Sequence, residues 1–534
     1  LIRDVLADAV RSALRTLEID PLPDSIHLER PANREHGDWS TNVALATAKK
    51  AGWNPRELAG RLAEVLSADP PAHVRHVEIA GPGFVNFHLH DSWLHDVLSD
   101  VVTLGQEGYA RHGFGTGTTV NVEFVSANPT GPLHAGHGRG AAYGDSVARL
   151  LERCGYAVQR ETYINDRGVQ MQNFARSLVA RRDGTEVPAD GYHGEYIAEW
   201  AAEMPADADP LQWGEARALA EHRETLERMN VRFDRWFSEL SLVESGAIDD
   251  TLADLRARDM AYDHDGAVWL RSTAFGDDKD RPLIKSDGDY TYVLPDIAYH
   301  RDKFSRADLL IDVWGADHHG YVPRMKAAIQ ALGHDPDQLD IRITQLVNLL
   351  DGGEPVRLSK RAGDIIELRD VLDEVGPDAA RLTYLLQSPD SRMTFDYAVV
   401  KSAAAENPVY YVQYAHARIH SIGRKAAELG VERVPLPDAD LSLLVHEREL
   451  DVLRVLSELP DTVAIACNER APHRVAAWVR ELAGAFHGFY HDCYVIGDRV
   501  EPALTQARLW LVEATRIGLA IGLDLLGVHA PEEM

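Results

Sequence analysis

Apolar residues recur at helical spacing in LIRDVLADAVRSALRTLEI, and Pro21 and Pro23 then break the pattern. STNVALATAKKAGWNPRELAGRLAEVL predicts two helices split by GWNP, with Asn54-Pro55 starting the second. HVEIAGPGFVNFHL predicts two strands around Gly81-Pro82-Gly83. Residues 1–108 therefore form a compact α/β unit. From 109 to 385 strands and helices alternate, with strands expected at 119–125, 157–163, 266–270, 291–294, 308–313 and 341–347. That order predicts a doubly wound, Rossmann-like parallel sheet. A helical, acidic insertion covers about 170–260. From 386 to 534 four long apolar-periodic segments separated by short polar or proline-containing links predict an all-α bundle.

Composition adds limits. With 534 residues the chain exceeds one core, and 45% hydrophobic with 26% charged residues describes an ordinary globular protein. No run of about 18 apolar residues occurs, so no membrane span is expected. The opening LIRDVLADAVRSAL carries acids and lacks a signal-peptide core. Cys154, Cys467 and Cys493 are few and scattered, which argues against a disulfide framework or a cysteine zinc site and suits a reducing cytoplasm. The net charge of −29 opposes indiscriminate nucleic-acid binding. His416, Arg418, His420, Arg424 and Lys425 nevertheless form an acid-free stripe, which predicts local, salt-sensitive docking.

Candidate chemistry gathers in VNVEFVSANPTGPLHAGHGRGAAYGD. His134-Ala135-Gly136-His137 sits where a helix begins, and free N–H groups at a helix start suit phosphate. Gly136 and Gly138 would let the backbone approach a ligand. The imidazoles of His134 and His137 could donate to phosphate oxygens as charge builds. Gly136, Gly138 and Ala141 also fit G-x-G-x-x-A with Glu161 about 20 residues on, the dinucleotide pattern of an oxidoreductase. That pattern wants its first glycine at the strand end, whereas here residues 127–135 intervene.

Glu123 lies mid-strand, where a carboxylate is costly unless paired. It is either a structural ion pair or a receptor for a cation. Asn128, Tyr292 and Asp296 fall at strand ends and helix starts, where open α/β sheets bind ligands. Arg357-Leu358-Ser359-Lys360-Arg361 is a basic loop able to close over a triphosphate. Asp317-His318-His319, with Asp263-His264-Asp265, suggests a metal phosphoesterase, although no framework joins the two.

HAGH with a distant RLSKR resembles the HIGH and KMSKS signatures of class I aminoacyl-tRNA synthetases. YVLPDIAYH, GADHHGYVPR, YYVQYAHARI, LLGVHAPEEM, HGDWSTNVAL and GPGFVNFHL extend the resemblance to arginyl-tRNA synthetase over nearly the whole chain. The resemblance implies that arginine and ATP, taken as its Mg2+ complex, give arginyl-adenylate and pyrophosphate. The arginyl group then passes to the terminal adenosine of tRNA(Arg). It implies ATP contacts from His134, Gly136, His137, Gly138, Ser359 and Lys360, with His134, His137 and Lys360 catalytic. It places arginine against Glu123, Asn128, Tyr292, Asp296 and His318. The first unit is implied to meet the tRNA elbow and the bundle the anticodon, with Tyr410, Tyr411 and Arg418 on tRNA. Members of this family commonly activate arginine only with tRNA bound. A cytoplasmic monomer with no tightly bound protein metal is expected.

Ala135 replaces the usual isoleucine of HIGH, and Arg357 and Arg361 flank the Leu-Ser-Lys core in place of lysine and serine. A glutamine common near the amino-acid site has no clear equivalent around Asp317 and His318. A guanidinium needs forked acceptors that lysine cannot fill, and such polar recognition discriminates by roughly 10⁴-fold without editing. No editing site is expected.

Overall fold

The computed structural model describes residues 2–31, 33–356, 366–402 and 407–534. Ser359 and Lys360 lie outside the described residues. The chain forms two compact units, one of residues 1–109, 422–458 and 485–517, the other of residues 110–421, 459–484 and 518–534.

In the first unit the helix Ile2–Thr16 buries Leu6, Val10, Ala13 and Leu14, one stripe at helical spacing. Strand β1 is Trp39–Thr41, β2 is Val74–Ala80 and β3 is Phe84–Leu89, antiparallel in the order β1-β3-β2. Asn54 caps the helix Pro55–Ala68 by accepting the N–H groups of Arg56 and Glu57. Phe486 and Phe489 are fully buried in the helical part, where Arg508 Nε donates to buried Glu449 Oε1 (2.6 Å).

The second unit starts with β4 (Thr119–Glu123), β5 (Ala157–Ile164) and β6 (Arg235–Ser238). Strands β7 (Ala261–His264), β8 (Ala267–Leu270) and β9 (Arg281–Ile284) follow, then β10 (Leu309–Gly315) and β11 (Leu339–Thr344). β12 (Val347–Asp351), β13 (Glu354–Pro355) and β14 (Met393–Asp396) complete the set. The main sheet has the order β11-β10-β4-β5-β6, and every neighbouring pair in it is parallel. Parallel strands buried on both faces read as continuous apolar runs, as LLIDVW does. Among the described residues, no helix is long and apolar enough to cross a membrane.

Four sequence expectations change. The stretch from 386, expected to be all helix, holds β14, which pairs parallel with β12. Residues 291–294 are not a strand. Tyr292 precedes the helix Val293–Phe304, because Pro295 suits its first turn and Val293, Leu294, Ile297 and Ala298 bury a helical face. The strand expected at 266–270 exists as β8, but it pairs antiparallel with β7 and β9, outside the main sheet. The supposed insertion of 170–260 contains β6, the edge of the main sheet. Only Phe237 of that strand is buried, so no apolar run marked it.

Candidate active site

β4 ends at Glu123, and two residues later Val125 takes φ = 58°. A β-branched residue in the left-handed region costs about 1–3 kcal/mol. This kink turns the chain off the sheet into the loop that leads to the helix Ala135–Arg153. Around it opens a cavity of about 870 Å³, lined by Glu123, Asn128, His134, His137, Asp296 and His318 among others. It lies by the C-terminal ends of β4 and β10, where ligands bind in open parallel sheets.

His134 and His137 form a reciprocal cap. His134 Nδ1 accepts the N–H of Gly136 (3.1 Å), and His137 Nδ1 accepts the N–H of His134 (3.2 Å). The rings stack with centroids 3.6 Å apart. Both Nδ1 lone pairs are spent on backbone donors, so each neutral ring carries its proton on Nε2. Burial lowers the pKa of His134, and lowers that of His137 well below the ordinary value, with help from His134 and His222. The pair therefore offers two neutral Nε2–H donors. Capping uses Nδ1 of each ring and leaves both Nε2–H groups outside the cap.

The two glycines have packing reasons. A Cβ on Gly136 would lie 3.0 Å from the His134 ring, and one on Gly138 would lie 2.7 Å from Leu368 and 2.8 Å from Tyr384. Gly138 thus admits its neighbours Leu368 and Tyr384. Tyr384 donates to the carbonyl of Ala135 (3.0 Å). Ala135 N–H donates to Ile366 O (2.9 Å) and Leu368 N–H to Leu133 O (2.7 Å), which fastens residues 366–368 to the histidine turn.

Glu123 is part of a buried charge network. Its Oε2 accepts from Lys303 Nζ (2.5 Å) and its Oε1 from Ser126 Oγ (2.6 Å). Lys303 is fully buried and also donates to Asp312 Oδ1 (2.7 Å), while Asp312 Oδ2 lies 2.8 Å from His300 Nε2. Burial alone would depress the Lys303 pKa, but Asp312 and Glu123 outweigh it and hold it above the ordinary value. Burial would raise Asp312, yet Lys303 and His300 bring it down to about 2. The structural-pair reading of Glu123 holds, and the carboxylate still faces the cavity.

Asp296 differs. Burial pushes its carboxyl up to about 6, against the hydroxyl of Tyr321, which donates to Oδ2 (2.6 Å). Among the described residues no cation lies within ion-pair distance of it. His300 and Lys303 lower it only in part, so the carboxyl stays above the ordinary range beside the cavity.

Asn128 and His318 also line the cavity, and His318 packs edge-on against Trp314. Tyr292 does not. It is 87% exposed at the start of its helix, and the aromatic walls are Tyr163, Tyr192, Tyr196, Tyr299, Trp314 and Tyr321 instead. Sequence reasoning missed Lys303, His300 and Tyr321. Asp296, His300 and Lys303 stand at i, i+4 and i+7, a helical-face signal that could have found two of them.

The competing readings lose their residues. Glu161 is fully buried, accepting from Asn121 Nδ2 (3.0 Å), Tyr299 OH (2.9 Å) and Arg306 NH2 (2.8 Å), so no acid is left for a ribose. Among the described residues, neither Asp317-His318-His319 nor Asp263-His264-Asp265 gathers three possible metal ligands.

Tyr410, Tyr411 and Arg418 lie on the helix Pro408–Glu428. All three are half-buried. Tyr410 stacks on Tyr414 (5.6 Å), and the Arg418 guanidinium lies 4.3 Å from the Tyr414 ring centre with a hydrogen bond to its hydroxyl (2.5 Å). His416 turns inward, its Nδ1 2.8 Å from Pro531 O, so the stripe is not one exposed face. Arg424 and Lys425 are exposed.

Known proteins give the comparison. Residues 3–89 match the arginyl-tRNA synthetase N-terminal domain, 102–186 and 213–419 the class I (R) tRNA synthetase catalytic domain, and 412–534 the DALR anticodon binding domain. An arginine–tRNA ligase of Frankia alni is 48% identical over 99% of this chain and 99% of its own. One of Listeria monocytogenes is 46% identical over 97% and 96%. The arginyl-tRNA synthetase of Thermus thermophilus shares the fold with a TM-score of 0.79 over the full length of both chains, at 23% identity. Family models over three successive stretches and full-length relatives lead to one conclusion: the chain belongs to the arginyl-tRNA synthetase family of class I.

Proposed function

We propose that the cavity beside β4 and β10 is where arginine and ATP react, and that Asp296 receives the guanidinium. The activity is arginine–tRNA ligation. Arginine is activated to its adenylate and then joined to tRNA.

One observation carries the assignment of the pocket: Asp296 is recessed, raised to about 6 and, among the described residues, has no cation within ion-pair distance, while neighbouring Glu123 already has Lys303. A guanidinium is the planar, permanent cation that such an acid needs. Glu123, held by Lys303 and Ser126, supplies a second, oriented acceptor wall. Asn128 and His318 border the same space and are assigned to the rest of the amino acid.

ATP, as its Mg2+ complex, is placed at the histidine turn. The two Nε2–H groups of His134 and His137 meet phosphate oxygens at a helix start, where the helix dipole adds to the field although the N–H groups of residues 134–137 are already hydrogen-bonded within the protein. Displacement at the α-phosphate spreads negative charge, and fixed neutral donors stabilise it without reorganising. Ser359 and Lys360 are assigned to the triphosphate by family resemblance alone. Tyr410, Tyr411 and Arg418 are assigned to tRNA on the same ground. A monomer working in the cytoplasm fits this reading.

Aminoacylation of total tRNA, assayed with each amino acid in turn, tests the proposal. Charging with arginine alone is expected. Charging with another amino acid, or with none, overturns it.

A further inference from the structure

In the first unit, β2 does not pair evenly with β3. Val74 faces Leu89, but His76 faces His88, so the register shifts by one residue between them. Without that bulge His76 would stand opposite Phe87, which is fully buried on the core side. The extra residue moves His76 to the opposite face, next to His88, and Glu78 follows on the same face by the two-residue period. A bulge that re-aims one side chain onto another points to a built cluster.

The three side chains do converge. One ligand atom from each of His76, Glu78 and His88 lies within 4.8 Å of the others. The imidazoles stack at 4.0 Å with planes 11° apart, and His88 Nε2 lies 3.6 Å from Glu78 Oε1. His88 Nε2 is buried and has no hydrogen-bond partner. A buried polar atom in that state costs stability unless something meets it.

We infer that His76, Glu78 and His88 form a binding site for a divalent ion of the zinc class. Two imidazole nitrogens and one carboxylate oxygen are borderline ligands that suit Zn2+ or Co2+ over Mg2+. A tetrahedral ion at about 2.0–2.1 Å from each nitrogen needs ligand atoms roughly 3.3 Å apart and must lie in both ring planes, so binding opens the stacked pair by rotation about the side-chain torsions, with a fourth position open to water. The ion would pin β2 to β3 at the bulge and stabilise this unit by mass action. It takes no part in the reaction at the cavity.

The test uses the full chain stripped by a chelator. Co2+ is titrated in while visible absorption is followed, with Zn2+ then added in competition. The chain holds 24 histidines, so the reading is the difference between parent and variants. His76→Ala removes an exposed ligand, and Glu78→Gln keeps the shape of another. One equivalent of tetrahedral Co2+ displaced by Zn2+ is expected in the parent, with roughly tenfold or greater weakening in each variant. Zn2+ should raise the melting temperature of the parent and not of His76→Ala, and arginylation should be unchanged in both variants. No tetrahedral absorption in the parent, or equal affinity in parent and variants, overturns the site.

Discussion

Lys303 Nζ lies 2.5 Å from Glu123 Oε2, and both groups are buried, so the acid that the sequence offered as a cation receptor already holds a cation. Removing the lysine leaves Glu123 and Asp312 without their shared partner. Breaking such a buried pair costs about 3–5 kcal/mol, so Lys303→Met should be destabilised on that scale in urea unfolding. At a temperature where the variant is folded, its KM for arginine should rise while its KM for ATP holds. An unchanged arginine KM would separate the pair from the pocket.

Asp296→Asn removes the charge but keeps the shape. Loss of a charge-assisted bond worth about 1.5–3 kcal/mol predicts a ten- to hundredfold rise in arginine KM. The same substitution should raise the melting temperature near pH 7.5. A carboxyl whose folded pKa is raised stabilises the fold least where it is ionised, and the penalty vanishes below its unfolded value of about 3.9. The gain should therefore disappear near pH 4. Thermal melting of parent and variant at both pH values checks the sign.

His134→Asn separates capping from chemistry. Asparagine caps helices well, so stability should change by less than about 0.5 kcal/mol, while the lost Nε2–H donor should lower the activation rate roughly 10²-fold. His134→Ala should lose about 1 kcal/mol as well as the rate. Parallel unfolding and exchange assays distinguish the two.

Gly138→Ala puts a Cβ 2.7 Å from Leu368 and 2.8 Å from Tyr384. Overpacking there should cost about 1–3 kcal/mol and shift the helix bearing His137, which denaturant unfolding reads directly. A neutral result would reject the packing role of this glycine.

Much of this was legible in the chain. Four strands of the main sheet announce themselves in the sequence, β10 as an apolar run and β4, β5 and β11 as short stretches rich in Val, Ile, Thr and Tyr. β6 does not, since one buried Phe237 is no run. Residues 291–294 misled because Val293 and Leu294 look extended until the helical spacing of Ile297 and Ala298 is added. At the site, His134, His137 and Asp296 stood out as polar groups at element ends, and Glu123 as a carboxylate expected in mid-strand. Lys303 did not, because its partners come from β4 and β10, and only the sheet order brings them together. Tyr292 looked like a pocket wall, yet its place ahead of the helix turns it to solvent.

The central claim is that Asp296, ionised, receives the guanidinium of arginine. The most direct test is the pH dependence of arginine KM in tRNA-supported ATP–pyrophosphate exchange, for the parent and Asp296→Asn. The pKa of Asp296 is near 6, so the parent's KM should climb as pH falls through that value, where protonation empties the acceptor. The variant should start high and show no such limb. A parent KM flat across that range, or a variant with the parent's profile, would contradict the account.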